Sequence, residues 1–149
     1  MTPDVNVLVA ASRRDHAHHT VAHGWLTQAL SDTASSSGSK TALRLMGTVV
    51  ASYLRLVTHP KIFVQPTPIA QAIAFADALL GCPGVEWLPT GAEWPTLRQI
   101  CNDQALAGND LPDAWIASIT LVHNEVLVTF DRDFLRLLPK QHLQLLATA

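Results

Sequence analysis

The segment Val126–Phe134, VLVTFDRDF, places a short apolar run in front of two aspartates that are two positions apart. The run Val126–Thr129 predicts a buried strand, because it is short, apolar and rich in β-branched residues. The acids that follow, Asp131 and Asp133, have two interpretations. They form a solvated turn that caps the next element, or they form one wall of a metal site.

The composition is that of a folded protein with one domain, predicted to span residues 1–149. Hydrophobic residues make up 48% of the chain and charged residues 15%, which argues against extended disorder and suggests that a partner covers some apolar surface. No apolar run approaches the ~18 residues of a membrane-spanning helix, and no signal peptide is visible. Cys82 and Cys101 have no metal-binding spacing, so two reduced thiols in a cytoplasmic protein are expected.

The net charge of −2 shows no global nucleic-acid signature. A small basic groove around Arg13, Arg14, Arg55 or Lys61 is compatible with it.

Helices alternate with short apolar strands along the chain, which predicts an α/β fold with a mainly parallel sheet. The opening, Met1–Ala11, predicts a strand at or near Asp4, and Val5–Ala10 either extends that strand or begins a helix. The predicted helices are Ala17–Leu30 with Asp15 as N-cap, Thr48–Val57, Pro68–Leu80, Pro95–Asn102 with an extension toward Ala107, and Asp113–His123. Further strands are predicted at Val85–Leu88 and His142–Leu146, and a polar loop at Ser31–Ser39.

Several acids fall at the ends of these elements: Asp4, Asp110, Asp113, Asp131 and Asp133. Ligand sites of open α/β sheets gather at the carboxyl ends of the strands, where these acids can meet. Carboxylates that lie close together raise one another's pKa, and a divalent cation removes that cost. Oxygen ligands suit Mg²⁺ or Mn²⁺. Each acid also has a structural explanation, such as a helix start at Asp113 or a surface position for Asp4.

Five motifs resemble, in order, those of the PIN-domain nucleases and in particular the VapC-type toxins of bacterial toxin–antitoxin pairs. They are DVNVLV at Asp4–Val9, RRDHAHHTVAHGWL at Arg13–Leu26, SYLRLVTHPKIF at Ser52–Phe63, LPDAWIAS at Leu111–Ser118, and VLVTFDRDF. Each motif alone is weak, but the ordered set is fairly specific and covers nearly the whole chain.

The resemblance implies a three-layer α/β/α sandwich and a Mg²⁺-dependent endoribonuclease, with Mn²⁺ as an alternative ion. Asp4, Asp113 and Asp131 become the catalytic metal ligands, and Asp133 supports or joins them. The implied neighbours are Asn6 as a polar group near Asp4, Thr129 orienting Asp131 through its hydroxyl, and Arg55 contacting the RNA backbone. The implied partners are RNA, a cognate antitoxin and a second copy of the chain.

One departure from the family concerns a glutamate that many members carry before the Leu-Arg segment. That place falls near Val50 or Ala51, where the chain has no acid, and Glu86, Glu93 and Glu125 lie elsewhere. Either Asp110 or Asp133 compensates, or the site has fewer ligands. A non-catalytic PIN-like protein that binds RNA or only an antitoxin is therefore the alternative. An aspartate-based phosphatase is disfavoured, since Asn6 stands where a second aspartate is needed.

Two further features have competing interpretations. His19 and His23, in a cluster with His16 and His18, have the i, i+4 spacing that chelates zinc on a helix, but an exposed helix face or the edge of an RNA groove is preferred. Trp115, beside Asp113, borders the site or packs in the core, and packing is the preferred interpretation.

Overall fold

A computed structural model describes residues 1–35 and 43–148. Its elements are β1 Thr2–Pro3, α1 Val5–Ser12, α2 His19–Ser35, β2 Leu43–Leu45, α3 Gly47–Val57, α4 Ile69–Leu80, β3 Val85–Trp87, α5 Trp94–Gln104, α6 Asp110–Val122, β4 Leu127–Thr129 and β5 Leu143–Leu145. Short 3₁₀ helices cover Arg132–Arg136 and Lys140–His142. This alternation confirms the predicted α/β class.

The strands pair in parallel in the orders β1-β4-β5 and β2-β3. A backbone hydrogen bond of 2.9 Å from the Arg44 amide to the Met1 carbonyl joins the two groups. The combined order is therefore β3-β2-β1-β4-β5, which confirms the parallel sheet. At its centre Thr2 lies opposite Leu127 and Pro3 opposite Val128.

The helices form two groups. α1 packs against α2 and α3, and α3 packs against α4, whereas α5 packs against α6. The chain leaves β1 toward β2 and β3, and then returns through α5 and α6 to β4. Because parallel crossovers are right-handed, this reversal places the two groups of helices on opposite faces of the sheet. The core between the layers includes Leu8, Tyr53, Ile119 and Leu127, each at most 1% exposed.

The opening segment differs from a long strand: only Thr2 and Pro3 are extended, and a helix begins at Val5. Asp4 caps that helix, because its Oδ1 accepts a 2.6 Å hydrogen bond from the Val5 amide. The helical alternative for Val5–Ala10 is therefore the one that the structure adopts.

The second helix begins two residues later than predicted, and Asp15 does not cap it, since its carboxylate binds Arg13. The prediction of a loop is wrong at Ser31–Ser35, which continue α2. The Ser35 hydroxyl donates a 2.8 Å hydrogen bond to the Ser31 carbonyl one turn earlier. This bond satisfies the serine hydroxyl within the helix. The rest of the predicted loop, 36–39, lies outside the described residues.

Candidate active site

The acids meet at a point where the direction of strand order reverses. After β1 the chain continues toward β2, and after β4 it continues to β5 on the other side. Such a switch point opens a crevice at the carboxyl ends of the two strands. Asp4 follows β1 directly, and Asp131 follows β4 by two residues. The site is therefore built by topology, from positions more than a hundred residues apart.

Asp4 is a buried carboxyl group that accepts three hydrogen bonds. It is 3% exposed. Besides the Val5 amide on Oδ1, its Oδ2 accepts from Asn6 Nδ2 at 2.8 Å and from the Thr129 hydroxyl at 2.6 Å. Burial raises its pKa to about 6, against the lowering effect of these donors, and the charges of Asp113 and Asp131 raise it further. The ionised form of Asp4 is therefore unfavourable in this site.

Thr129 and Asn6 connect the two strand ends. The Thr129 hydroxyl donates to Asp4 and accepts from Asn6 Nδ2 at 2.9 Å and from the Asp131 amide at 3.0 Å. Asn6 Oδ1 in turn accepts from the Phe130 amide at 3.2 Å. The Thr129 hydroxyl oxygen thus accepts from the backbone of Asp131, and the hydroxyl proton is donated to the Asp4 carboxylate. The contact of this hydroxyl with Asp131 is therefore made to the backbone amide.

Asp113 lies in the first turn of α6 and is partly buried. Burial is the main cause that raises its pKa, followed by the charges of Asp131 and Asp133. Asp131 Oδ1 accepts a 2.8 Å hydrogen bond from the Asp133 amide, so it caps the 3₁₀ helix that follows β4. The structure therefore places Asp4, Asp113 and Asp131 close enough for their charges to interact. Asp133 is exposed at the edge of this group.

Arg136 is a cation beside these acids that the sequence interpretation missed. It donates to Asp110 Oδ1 at 2.5 Å, and its charge lowers the pKa of Asp113. Hydrogen bonding to Arg136 also lowers the pKa of Asp110. The Asp110 carboxylate is therefore paired with Arg136 rather than with the acid cluster. The signal in the sequence was weak, since Arg136 follows Asp133 by three residues and that spacing brings it near the acids only where the segment is helical.

The donor set suits a hard divalent cation. Within residues 1–35 and 43–148, no three histidine, cysteine or acidic side chains lie close enough together to hold a metal ion by themselves, and Asp4 makes no ion pair. A carboxylate offers about four acceptor positions, of which Asp4 uses three. Mg²⁺ is typically held by one or two carboxylates while it keeps several waters. An open, acidic, oxygen-only site suits that requirement better than it suits zinc, whose protein sites are mostly built from cysteine and histidine.

The basic residues are distributed differently from the expected groove. Arg13 is 8% exposed and makes a bidentate ion pair with Asp15, with further hydrogen bonds to Thr67 and the Gln65 carbonyl. Its guanidinium also lies 3.8 Å from the Phe63 ring centre. Arg13 therefore stabilises the fold, which leaves Arg14, Arg55 and Lys61 as the candidates for the basic groove that the sequence left open.

Arg55 is exposed in the last turn of α3 and forms none of the ion pairs found in the described part of the chain. α3 itself contains no acid, and Ala51, near the place of the family glutamate, is exposed. The structure therefore provides no substitute for that glutamate on α3.

Two of the histidines have partners that the sequence did not indicate. His19 Nδ1 lies 2.9 Å from the Ala10 carbonyl, and this contact ties α2 to α1. The His18 ring stacks on Phe130 with centroids 4.8 Å apart, so the histidine segment reaches the loop between Thr129 and Asp131. Trp115 is 47% exposed, which contradicts a packing role.

Comparison with known proteins gives matches along nearly the whole length. Residues 1–137 match the PIN domain model. Ribonucleases VapC31 and VapC25 of Mycobacterium tuberculosis are each 34% identical over 144 residues, which cover 95% of both chains. Ribonuclease VapC43 of the same species is 35% identical over 134 residues, covering 89% of this chain and 86% of its own.

Among solved structures, VapBC2 from Rickettsia felis bound to a DNA fragment from its promoter matches with a TM-score of 0.65. The match covers 98% of each chain at 19% identity, and it therefore supports the fold alone.

Proposed function

Because the chain belongs to the PIN-domain family, in its VapC-type branch, we propose that it is a metal-dependent endoribonuclease, the toxin of a type II toxin–antitoxin pair. The observation that carries the activity is Asp4: a buried carboxyl group with a pKa of about 6, held by Thr129 and Asn6 at the strand switch point beside two other acids. Such a costly arrangement is typical of a functional site.

Asp4, Asp113 and Asp131 are the residues that would hold Mg²⁺ or Mn²⁺ through their oxygens. Asp133 is the better substitute for the missing glutamate, because Asp110 is engaged by Arg136. When bound, the cation neutralises the acids, polarises a phosphate oxygen and lowers the pKa of a water.

The protein supplies positioning and proton transfer. Thr129 and Asn6 fix the orientation of the Asp4 carboxylate through their hydrogen bonds. Asp113 is less buried than Asp4 and has a raised pKa, so it suits acceptance of a proton from the attacking water. In-line attack would leave a 5′-phosphate on the product. Arg55 is exposed and unpaired within the described residues, and it is available for a backbone phosphate.

The decisive test is RNA cleavage with Mg²⁺, Mn²⁺ or EDTA, using wild-type protein and the variants Asp4→Asn and Asp113→Asn. We expect cleavage only with a cation, and a loss of about 10²-fold or more in each variant. Asp77→Asn removes the same charge from the exposed side of α4 and should cut like wild type. If both Asp4→Asn and Asp113→Asn cleave RNA as fast as wild type does, the assignment is rejected.

The proposed partners are an RNA substrate, a cognate antitoxin and a second copy of the chain, in the cytoplasm. The antitoxin partner follows from membership of the VapC-type branch of the family. No helix of the described residues is long and apolar enough to cross a membrane.

A non-catalytic RNA- or antitoxin-binding protein is the alternative, prompted by the missing glutamate. It is not favoured, because the relatives are named ribonucleases. Calorimetric titration with Mn²⁺ separates the two, since an inactive site should bind the ion poorly.

A further inference from the structure

The histidine segment before α2 contacts the loop that carries Asp131. The His18 ring stacks on the Phe130 ring, with centroids 4.8 Å apart and an angle of 24° between the ring planes. Phe130 stands between Thr129, whose hydroxyl donates to Asp4, and Asp131. This stack therefore lies directly beside two residues of the candidate site.

The Phe130 ring has space to move into. It is half-buried at the edge of the core, and together with Arg132, Leu145 and Leu146 it lines a cavity of about 320 Å³ at the carboxyl ends of β4 and β5. In the part of the chain that the structure describes, His18 is the one aromatic ring that stacks on it. Loss of the His18 ring would let Phe130 turn toward the cavity, and the backbone beside it would move as well.

The backbone around His18 is held by local hydrogen bonds. The His18 amide donates to His16 Nδ1 at 3.1 Å, and its carbonyl accepts from the Ala22 amide at 3.0 Å in the first turn of α2. His19 Nδ1 lies 2.9 Å from the Ala10 carbonyl of α1. The His18 ring acts through its face, because its Nδ1 is buried and has no hydrogen-bond partner among residues 1–35 and 43–148. His18 is therefore fixed to both helices and can restrain a side chain that stacks on it.

The stack adds a second connection between the two strand ends of the site. The first connection consists of the hydrogen bonds that Asn6 and Thr129 make with Asp4 and with the backbone after β4. The second runs from α1, which begins directly after Asp4, to α2, which packs against it, and then through the His18–Phe130 stack. Both connections meet at Phe130, whose amide donates to Asn6 Oδ1 at 3.2 Å.

We propose that His18 is a positioning residue for the proposed metal site. Its ring holds Phe130, and through the backbone of Phe130 it fixes the Asp131 carboxylate beside Asp4 and Asp113. Metal ligands depend on such supporting contacts, and the loss of a supporting contact weakens metal binding. This inference rests on the proposed ribonuclease function and adds to it a residue that touches neither the cation nor the RNA.

The first experiment examines the loop after β4 without cation or RNA. Amide hydrogen exchange is followed by NMR in EDTA for wild type, His18→Ala, His18→Phe and the control His23→Ala. Phenylalanine keeps an aromatic face for the stack and buries no unpaired nitrogen. His23 is exposed on α2, and its ring packs on His19 with centroids 5.2 Å apart, so its replacement removes a histidine from the same helix without touching Phe130.

We expect faster exchange of the Phe130 and Asp131 amides in His18→Ala, and wild-type exchange in His18→Phe and His23→Ala. An aromatic pair is worth a factor of about 2 to 12 in an equilibrium constant, and this factor sets the size of the effect. Calorimetric titration should therefore give a Kd for Mn²⁺ that is about 2- to 12-fold higher in His18→Ala than in wild type. In RNA cleavage, saturating Mn²⁺ should restore the kcat of His18→Ala, and the KM for RNA should not change.

Three results would overturn the inference: unchanged exchange and Mn²⁺ affinity in His18→Ala, equal losses in His18→Phe and His18→Ala, or faster exchange across the whole chain in His18→Ala. The second result would assign the role to an imidazole nitrogen, and the third would assign it to the stability of the whole fold.

The same measurements separate this inference from the proposed function. If wild type cleaves RNA with Mg²⁺ while His18→Ala keeps the wild-type Mn²⁺ affinity, this inference fails and the proposed function stands. If wild type neither binds Mn²⁺ nor cleaves RNA, the proposed function fails, and the exchange data still report whether His18 holds the loop after β4.

Discussion

Replacing Asp4 by asparagine should remove activity and should also remove a pH-dependent cost to the stability of the protein. The pKa of Asp4 is raised from 3.8 to about 6 in the folded protein, chiefly by burial. Between these two values the folded state binds more protons than the unfolded state, so the free energy of unfolding falls as pH rises. At about 1.4 kcal/mol per pKa unit, the full interval corresponds to about 3 kcal/mol. An asparagine does not titrate and does not incur this cost.

The assay is urea unfolding in EDTA at a series of pH values from 4 to 8, with wild type and Asp4→Asn compared at each pH. Their difference in unfolding free energy should grow in favour of the variant as pH rises toward 6, and it should be constant above about pH 7. Lost hydrogen bonds shift the whole curve but do not change its slope. The exposed variant Asp77→Asn controls for the change in net charge. A difference that is independent of pH, or that favours wild type as pH rises, would refute the reasoning.

Two predictions concern the neighbours of the acids. Thr129→Val removes the hydroxyl that lowers the pKa of Asp4, so activity should fall about 10–100-fold and the acid limb of the pH profile of kcat/KM should move to higher pH. Thr120→Val is the matched control, because Thr120 is equally buried with its hydroxyl on a helix carbonyl, and an equal shift there would contradict the prediction. Arg136→Gln removes a charge that lowers the pKa of Asp113, so the carboxyl carbon resonance of Asp113 should titrate at higher pH in NMR spectra. An unchanged midpoint would show that Arg136 does not act on Asp113.

Local patterns were enough to predict most of the elements. The strands at Val85 and Val126 and the helices at Thr48 and Pro68 were predicted to within about two residues, because short apolar runs and prolines determine them locally. The errors occurred where a tertiary contact or a side-chain bond decides. Ser31–Ser35 look like a loop by composition but continue a helix that is anchored elsewhere on the fold.

The sequence by itself determined which acids stand at the ends of elements, and the order of its motifs determined the family. Only the tertiary structure decided that the Thr129 hydroxyl donates to Asp4, 125 positions away along the chain. It also decided that Arg13 is buried and that Trp94 and Trp115 share one open pocket. Periodicity reports the neighbours of a residue within one element. Which strand ends and helix faces meet depends on the crossover topology, and that topology sets the burial and the charges that control the pKa of Asp4.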